Sequence, residues 1–173
     1  MTVFTMTRRS LFRSVLAPAL TAVALATALM PVLTQQAAAQ SCPDFRQAAV
    51  RSLSYTSDQL WTPRHHTVTA GGSIDLRYCG PVPGVGHVIH RPDFSVSFRA
   101  NQRNRALEFR VRGDCDTVLL VNDASGRWHF VDDADGTLNP RLRLPRARAG
   151  RYDVWVGTYG PSTCRATLTV ETF

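Results

Sequence analysis

The fold of this protein is decided by residues 114–159, whose sequence is DCDTVLLVNDASGRWHFVDDADGTLNPRLRLPRARAGRYDVWVGTY. Short apolar runs alternate in it with turns such as Asp123-Ala-Ser-Gly126 and Asp132-Asp-Ala-Asp-Gly136. Turn signals about every ten residues between short apolar runs are typical of an all-β protein. The stretch therefore predicts a strand-rich scaffold with acidic turns.

The same pattern extends to both sides of this stretch. Apolar and polar residues alternate over residues 94–99, 107–112 and 166–170, which predicts strands with one buried face. A further hairpin is predicted around Gly71-Gly72. Residues 43–60 are the one helix candidate, as a short helix of a turn or two or as a loop. The fold class is all-β, an antiparallel β-sandwich or jelly-roll-like fold with this short N-terminal helix or loop segment.

The first 39 residues have the features of an export signal. Arg8, Arg9 and Arg13 precede a mostly apolar run over residues 15–33, and a small-residue exit follows at Ala37-Ala38-Ala39. The residues around Arg8-Arg9 resemble a twin-arginine motif, which leaves the export route open. Cleavage after Ala39 would leave residues 40–173, 134 of the 173, as one domain with no stable membrane insertion. We therefore expect a periplasmic or secreted protein.

Net charge and cysteine content fit that destination. The signal carries three of the 20 basic residues and none of the 13 acids, so its removal lowers the net charge from +7 to +4. An even number of cysteines in an exported chain predicts disulfides. Among the three possible connectivities we favour Cys42–Cys79 with Cys115–Cys164, which divides the chain into two halves. No Cys-x-x-Cys or Cys/His spacing indicates a metal site on sulfur.

The acidic turns contain candidate ligands for a hard cation. Carboxylate oxygens are the donors that Ca²⁺ prefers, which makes calcium the candidate cofactor. The alternative is that each aspartate caps its own turn. The candidate calcium ligands are Asp114, Asp116, Asp132, Asp133 and Asp135.

The sequence contains none of the common catalytic patterns. His-Glu-x-x-His, Gly-x-Ser-x-Gly, a phosphate loop and a dinucleotide fingerprint are all missing. The chain is therefore predicted not to be an enzyme. The less favoured alternative is a small secreted hydrolase that uses Asp132 and Asp133 as paired carboxylates.

Exposed aromatic and basic residues are candidates for partner binding. In the run 152–156, Tyr152 has the parity of the core residues, so Trp155 is predicted on the opposite, exposed face. Trp155 and Tyr159 are the candidate ligand-binding residues. The arginines of residues 141–151 predict a solvated sheet face that pairs with nearby acids, and no nucleic-acid partner is expected.

Several of these motifs together resemble the bacterial pre-peptidase C-terminal domain. They are residues 116–121, both acidic turns, Leu138-Asn139 before Arg141, and the closing runs 149–157 and 166–170. The resemblance covers about residues 95–172 and implies a jelly-roll-like sandwich, usually appended to secreted peptidases. It also implies calcium in some members, and matrix-protein or polysaccharide ligands in some relatives. Since no peptidase domain accompanies it here, we expect a peptidase label to describe the usual neighbouring domain.

These observations predict an exported, non-catalytic β-sandwich that binds a protein or a polysaccharide at the envelope or outside the cell, with calcium as a candidate stabilising ion. The alternative within the same class is a calcium-stabilised structural module with no other ligand. Residues 40–93 lie outside the resemblance and carry no functional motif.

Overall fold

The computed structural model describes residues 42–173, so the predicted signal and its cleavage site lie outside the described residues. In the described part, no helix is long and apolar enough to cross a membrane. The chain forms β-strands and two single-turn 3-10 helices, Gln59–Trp61 and Leu76–Tyr78. The strands are β1 (Arg51–Tyr55), β2 (Arg64–Ala70), β3 (Ile74–Asp75), β4 (His87–Val88), β5 (Phe94–Phe98), β6 (Leu107–Gly113), β7 (Thr117–Asn122), β8 (Trp128–Val131), β9 (Arg141–Leu144), β10 (Gly150–Thr158) and β11 (Cys164–Thr172).

The strands form two sheets, of seven and four strands. In the larger sheet, β10 pairs with β7 along one edge and with β5 and then β4 along the other. Strand β1 lies beside β5, β8 beside β7, and β3 beside β4. The smaller sheet has the order β2-β11-β6-β9. All pairs are antiparallel except β1 and β5, which run parallel. The predicted all-β sandwich is confirmed, with this one parallel pair.

The inner core lies between the two sheets. Alternate residues of β5, β7 and β10 meet alternate residues of β2, β6 and β11 there, as the apolar-polar alternation predicts. Its largest fully buried side chains include Tyr152, Phe94, Phe98 and Phe109. The Tyr152 hydroxyl donates a hydrogen bond to the Arg148 carbonyl oxygen at 2.7 Å, which satisfies its polar end inside the core.

A second apolar cluster, the outer core, covers the other face of the larger sheet. It contains Leu120 and Trp155 from β7 and β10, Ile74 and Val88 from β3 and β4 at one edge of the same sheet, and Leu76 from the 3-10 turn that follows β3. Trp155 is 0% exposed and its ring centre lies 5.3 Å from that of Trp128. The prediction that Trp155 is exposed is therefore wrong. Its side of the strand was predicted correctly, but a covering segment buries that side.

The N-terminal segment contains no helix of the predicted kind. Residues 43–50 form a loop with turns and bends, and β1 follows directly. The helix predicted within residues 43–60 is therefore wrong, and the loop alternative is correct for residues 43–50. Leu53 pairs with Val96 in the parallel β1–β5 ladder. Phe45 packs edge-on against Trp128, with ring centres 6.0 Å apart. The apolar spacing that resembled a helix therefore reflects contacts with two different partners.

The predicted hairpin around Gly71-Gly72 is also wrong, because its two arms belong to different sheets. Strand β2 pairs with β11, whereas β3 pairs with β4. The turn passes so close to β4 that a Cβ atom at Gly72 would overlap the carbonyl group of Val88. Gly72 therefore allows the chain to leave the smaller sheet, pass close to β4 and join the larger sheet as β3.

Two disulfides join the segments that surround the sandwich, Cys42–Cys79 and Cys115–Cys164. This is the pairing favoured from the sequence. The first links the N-terminal segment to the outer core, where Cys79 is buried. The second joins the β6–β7 connection to the first residue of β11.

The backbone of Val156 shows how the gap between β5 and β4 is closed. Strand β5 pairs with β10 only up to Val154, and β4 begins to pair at Thr158. The Asp93 carboxylate accepts the Val156 N–H at 2.8 Å, and the Gly71 N–H donates to the Val156 carbonyl oxygen at 3.0 Å. Buried backbone groups need such partners. Burial raises the pKa of Asp93 to about 7, although this hydrogen bond favours the charged form.

Replacement of Gly72 by alanine tests the close crossing. We expect Gly72→Ala to lower the free energy of unfolding by about 2 kcal/mol, the usual cost of overpacking against atoms that cannot move freely. Gly160→Ala is the matched control, because a Cβ atom there meets nothing within 4 Å. Urea unfolding of both variants is the measurement. Equal stability of the two would contradict the crossing geometry.

The raised pKa of Asp93 makes stability depend on pH. The folded state keeps a proton on Asp93 that the unfolded chain releases near the ordinary pKa of 3.8, so this contribution to stability is full below pH 4 and is lost as the pH rises through about 7. Asp93→Asn removes it. We expect the stability of the variant relative to wild type to rise by up to about 4 kcal/mol between pH 4 and pH 8 in urea titrations. A difference that stays constant over this range would contradict the burial of the carboxyl group.

Candidate functional site

Three of the five candidate calcium ligands come together at one end of the β7–β8 hairpin. Asp116 precedes β7, and Asp132 and Asp133 follow β8. Because these strands are antiparallel, the start of β7 lies beside the end of β8. One carboxylate oxygen from each residue lies within 4.8 Å of the others. We call these three residues the acidic site.

The other two candidates have different surroundings. Asp135 and Gly136 both have positive φ, 53° and 72°, as required at the two central positions of a tight hairpin turn. Ala134 accepts the Thr137 N–H across this turn at 3.0 Å, and the Asp135 carboxylate pairs with Arg141 at 2.7 Å. Asp114 is held by its main-chain N–H, which donates to the Arg165 carbonyl oxygen. Asp135 therefore takes part in its own turn and its ion pair with Arg141, and it does not join the acidic site.

Negative charge in the acidic site is poorly compensated. Burial raises the pKa of Asp116 and of Asp132, and repulsion by Asp133 raises both further. The Oδ1 atoms of Asp116 and Asp132 are buried and accept no hydrogen bond from any residue in 42–173. Buried polar atoms without partners are uncommon in folded proteins. A ligand that supplies positive charge or hydrogen-bond donors would satisfy them.

Asp123 shows what a satisfied turn aspartate looks like in the same hairpin. Its Oδ1 accepts hydrogen bonds from the main-chain N–H groups of Ser125 and Arg127, and its Oδ2 lies 2.7 Å from His129 Nε2. Although burial alone would raise it, these hydrogen bonds hold the pKa of Asp123 well below its ordinary value. The capping alternative therefore describes Asp123, and it does not describe Asp116 or Asp132.

The acidic site fits the donor preference of a hard divalent cation. Ca²⁺ takes six to eight oxygen ligands and accepts flexible arrangements of carboxylates, carbonyl groups and water. Three carboxylates, two with an unpartnered buried oxygen, supply part of such a shell. Bound Ca²⁺ would supply positive charge at this end of the sandwich and would hold β7 to the segment after β8.

One exposed aromatic residue, Tyr159, lies next to the acidic site, and a second, Tyr78, is linked to it through Arg77. The Tyr159 N–H donates to the Asp116 carbonyl oxygen at 3.1 Å, and the Tyr159 side chain is 54% exposed. Tyr78 is 73% exposed, and its ring centre lies 6.0 Å from the Arg77 guanidinium, which is also within electrostatic range of Tyr159. Arg77 is fixed by a bidentate contact with Asp75. We call Tyr78 and Tyr159 the tyrosine pair.

The sequence analysis proposed Tyr159 as a candidate binding residue and did not single out Tyr78. Ile74, Leu76 and Tyr78 alternate with more polar residues in the sequence, as on one face of a strand, yet β3 ends at Asp75 and a 3-10 turn follows. Gly80 and Pro81 come directly after Cys79 and interrupt any strand. Those turn residues are the signal that could have placed Tyr78 at the surface.

Comparisons with known proteins identify no family for this chain. No family model and no curated protein matches it. A pre-peptidase C-terminal domain of a collagenase from Bacillus anthracis is 13% identical over 69% of this chain and 94% of its own, with a TM-score of 0.38. Aeromonas hydrophila PliG, a periplasmic inhibitor of g-type lysozyme, is 9% identical over 71% of this chain and 98% of its own, with a TM-score of 0.39. The first is a domain of the type that the sequence resembles, and membership of that family stays a prediction.

Proposed function

We propose that this protein is an exported, non-catalytic β-sandwich that binds a protein or a glycan through the tyrosine pair, next to a calcium ion held by Asp116, Asp132 and Asp133. The observation that carries the proposal is the acidic site, with its two buried unpartnered oxygens, directly beside the exposed residue Tyr159. Exposed tyrosines supply contact area at low entropic cost, and they stack on apolar faces of ligands.

Two disulfides support export, because such bonds persist in oxidising compartments such as the periplasm or the cell exterior. Ion binding is favoured over hydrolysis because three carboxylates share the site. A divalent cation relieves the repulsion among all three, whereas a catalytic acid–base pair leaves the third charge uncompensated. The hydrolase alternative therefore stays second.

Calcium is expected to stabilise the protein through the acidic site. At a concentration 100 times the dissociation constant, a bound ion adds about 2.7 kcal/mol, which raises the melting temperature by several degrees. Calorimetric melting in CaCl₂ and in EDTA measures this shift. We expect Asp132→Asn to abolish it and Asp135→Asn, the matched control, to retain it. A shift that is absent in wild type, or unchanged in Asp132→Asn, would contradict the calcium site.

The tyrosine pair is expected to carry partner binding. On glycan arrays and panels of immobilised extracellular proteins, we expect Tyr78→Ala and Tyr159→Ala each to weaken the wild-type signals about tenfold or more, as for a central aromatic contact. Trp61→Ala is the matched control, since Trp61 is 60% exposed but lies near the end of the sandwich where β10 begins. Equal losses in all three variants would contradict a binding surface at the tyrosine pair.

A further inference from the structure

A cleft of about 790 Å³ opens along the side of the sandwich where β1 and β2 are the outermost strands. Cavities of roughly 300–1,000 Å³ with apolar walls and a few polar groups are the usual form of ligand sites. None of the residues that line this cleft belongs to the acidic site or the tyrosine pair. We call it the edge cleft, and the residues that line it include Arg51, Thr67, Thr69, Asp93, Phe94 and Arg165.

Strand β2 presents unpaired backbone groups to the edge cleft. Among the described strands it pairs only with β11, so its second edge is free. Arg51 Nη1 donates to the Thr67 carbonyl oxygen at 3.0 Å, which shows that Thr67 faces away from β11. Residues of an antiparallel strand alternate in direction, so Thr69 faces the same way as Thr67.

The partner of Thr69 across the ladder supports this direction. Thr69 lies opposite Arg165 of β11, and the Arg165 carbonyl oxygen accepts the Asp114 N–H on the β6 side at 3.1 Å. Arg165 therefore points its backbone groups away from β2. Thr69 consequently presents both its N–H and its carbonyl group to the edge cleft, which is the pairing unit that an added antiparallel strand requires.

The charges around the edge cleft are mostly positive and without ion-pair partners. The Arg51 guanidinium lies 5.3 Å from the centre of the Phe94 ring, and Arg165 is exposed at the rim. Among residues 42–173 neither arginine has a carboxylate within ion-pair distance, although ten other pairs form there. Arg51 Nη1 donates to Thr67 and Nη2 lies 3.5 Å from His66 Nδ1, so the N–H groups that remain can meet a carboxylate from a ligand.

Asp93 adds a polar group to a wall of the cleft. Asp93 is 6% exposed, and its Oδ2 accepts the Val156 N–H. No described residue forms a hydrogen bond with Oδ1, and because burial raises the pKa of Asp93 to about 7, this oxygen carries a proton below that pH. A hydroxyl or amide group of a ligand, which can both donate and accept, would pair with Oδ1 in either protonation state.

We propose that the edge cleft binds an extended acidic peptide segment of a partner protein, which adds as a strand beside β2. Its backbone pairs with the N–H and carbonyl group of Thr69, an Asp or Glu side chain meets Arg51 and Arg165, and a side-chain hydroxyl or amide group meets Asp93. This inference concerns a site separate from the proposed calcium and tyrosine surface. It does not depend on that surface.

The test begins with a phage-displayed library of random decapeptides selected on the wild-type protein. We expect enriched sequences that contain Asp or Glu. Thr69→Pro removes the Thr69 N–H, which faces the cleft, and proline is tolerated at an edge position whose N–H points away from its neighbour. In isothermal titration with the selected synthetic peptides, we expect Thr69→Pro to bind at least tenfold more weakly than wild type.

His65→Pro is the matched control, since His65 has the same parity on β2 but does not line the cleft. It should bind the peptides as wild type does. If Thr69→Pro fails to fold, the peptides themselves carry the test: N-methylation at alternate residues should abolish binding to the wild-type protein in one register and not in the other. EDTA and Tyr159→Ala should leave binding unchanged, which separates this site from the proposed function.

Three outcomes would overturn the proposal. The first is that no peptide is enriched on the wild-type protein. The second is that Thr69→Pro has no effect on binding, or that N-methylation has no effect in both registers. The third is a glycan-array signal lost in Arg51→Gln together with an absence of peptide binding, which would assign the cleft to a saccharide.

Discussion

Strand β10 is the constraint on which the rest of the structure depends, because it is buried on both faces and paired on both edges. From Tyr152 to Thr158 every residue is buried, with Val154 in the inner core and Trp155 in the outer core. A strand in that position must have partners for all its backbone groups. Where neither β5 nor β4 reaches it, at Val156, the Asp93 carboxylate and the Gly71 N–H complete the pairing.

That requirement also determines where the two candidate binding regions lie. The contact of Gly71 with Val156 holds the end of β2 against the larger sheet and leaves the outer edge of β2 open beside Asp93, which forms the edge cleft. At its C-terminal end, β10 continues to Thr158 between β4 and β7. Tyr159, the next residue, therefore lies beside Asp116, which precedes β7. Both regions are therefore consequences of how β10 is enclosed.

The features that could be predicted from the sequence are those that depend on local alternation and on turn residues. The strands over residues 94–98, 107–113 and 164–172, the acidic turns and the division of the cysteines into two halves all follow from it. Alternation shows which side of a strand a residue takes, but it does not show whether another segment covers that side. Trp155 was misplaced for this reason, since its cover comes from residues some 70 to 80 positions earlier, such as Ile74 and Leu76. The parallel partner of β1 and the separation of β2 from β3 are non-local in the same way.

The aspartates in and around the β7–β8 hairpin show why only the structure could separate the candidate metal ligands from the aspartates that stabilise turns. In sequence they are equivalent, because each lies in or beside a turn. In the fold, Asp123 receives hydrogen bonds on both oxygens and Asp135 pairs with Arg141, so turn formation accounts for both. Asp116 and Asp132 each keep a buried oxygen without a partner and face a third carboxylate. Turn capping does not explain that arrangement, which opposes folding unless a cation or a donor completes it. The strongest evidence for a ligand is thus the acidic charge that the protein leaves uncompensated.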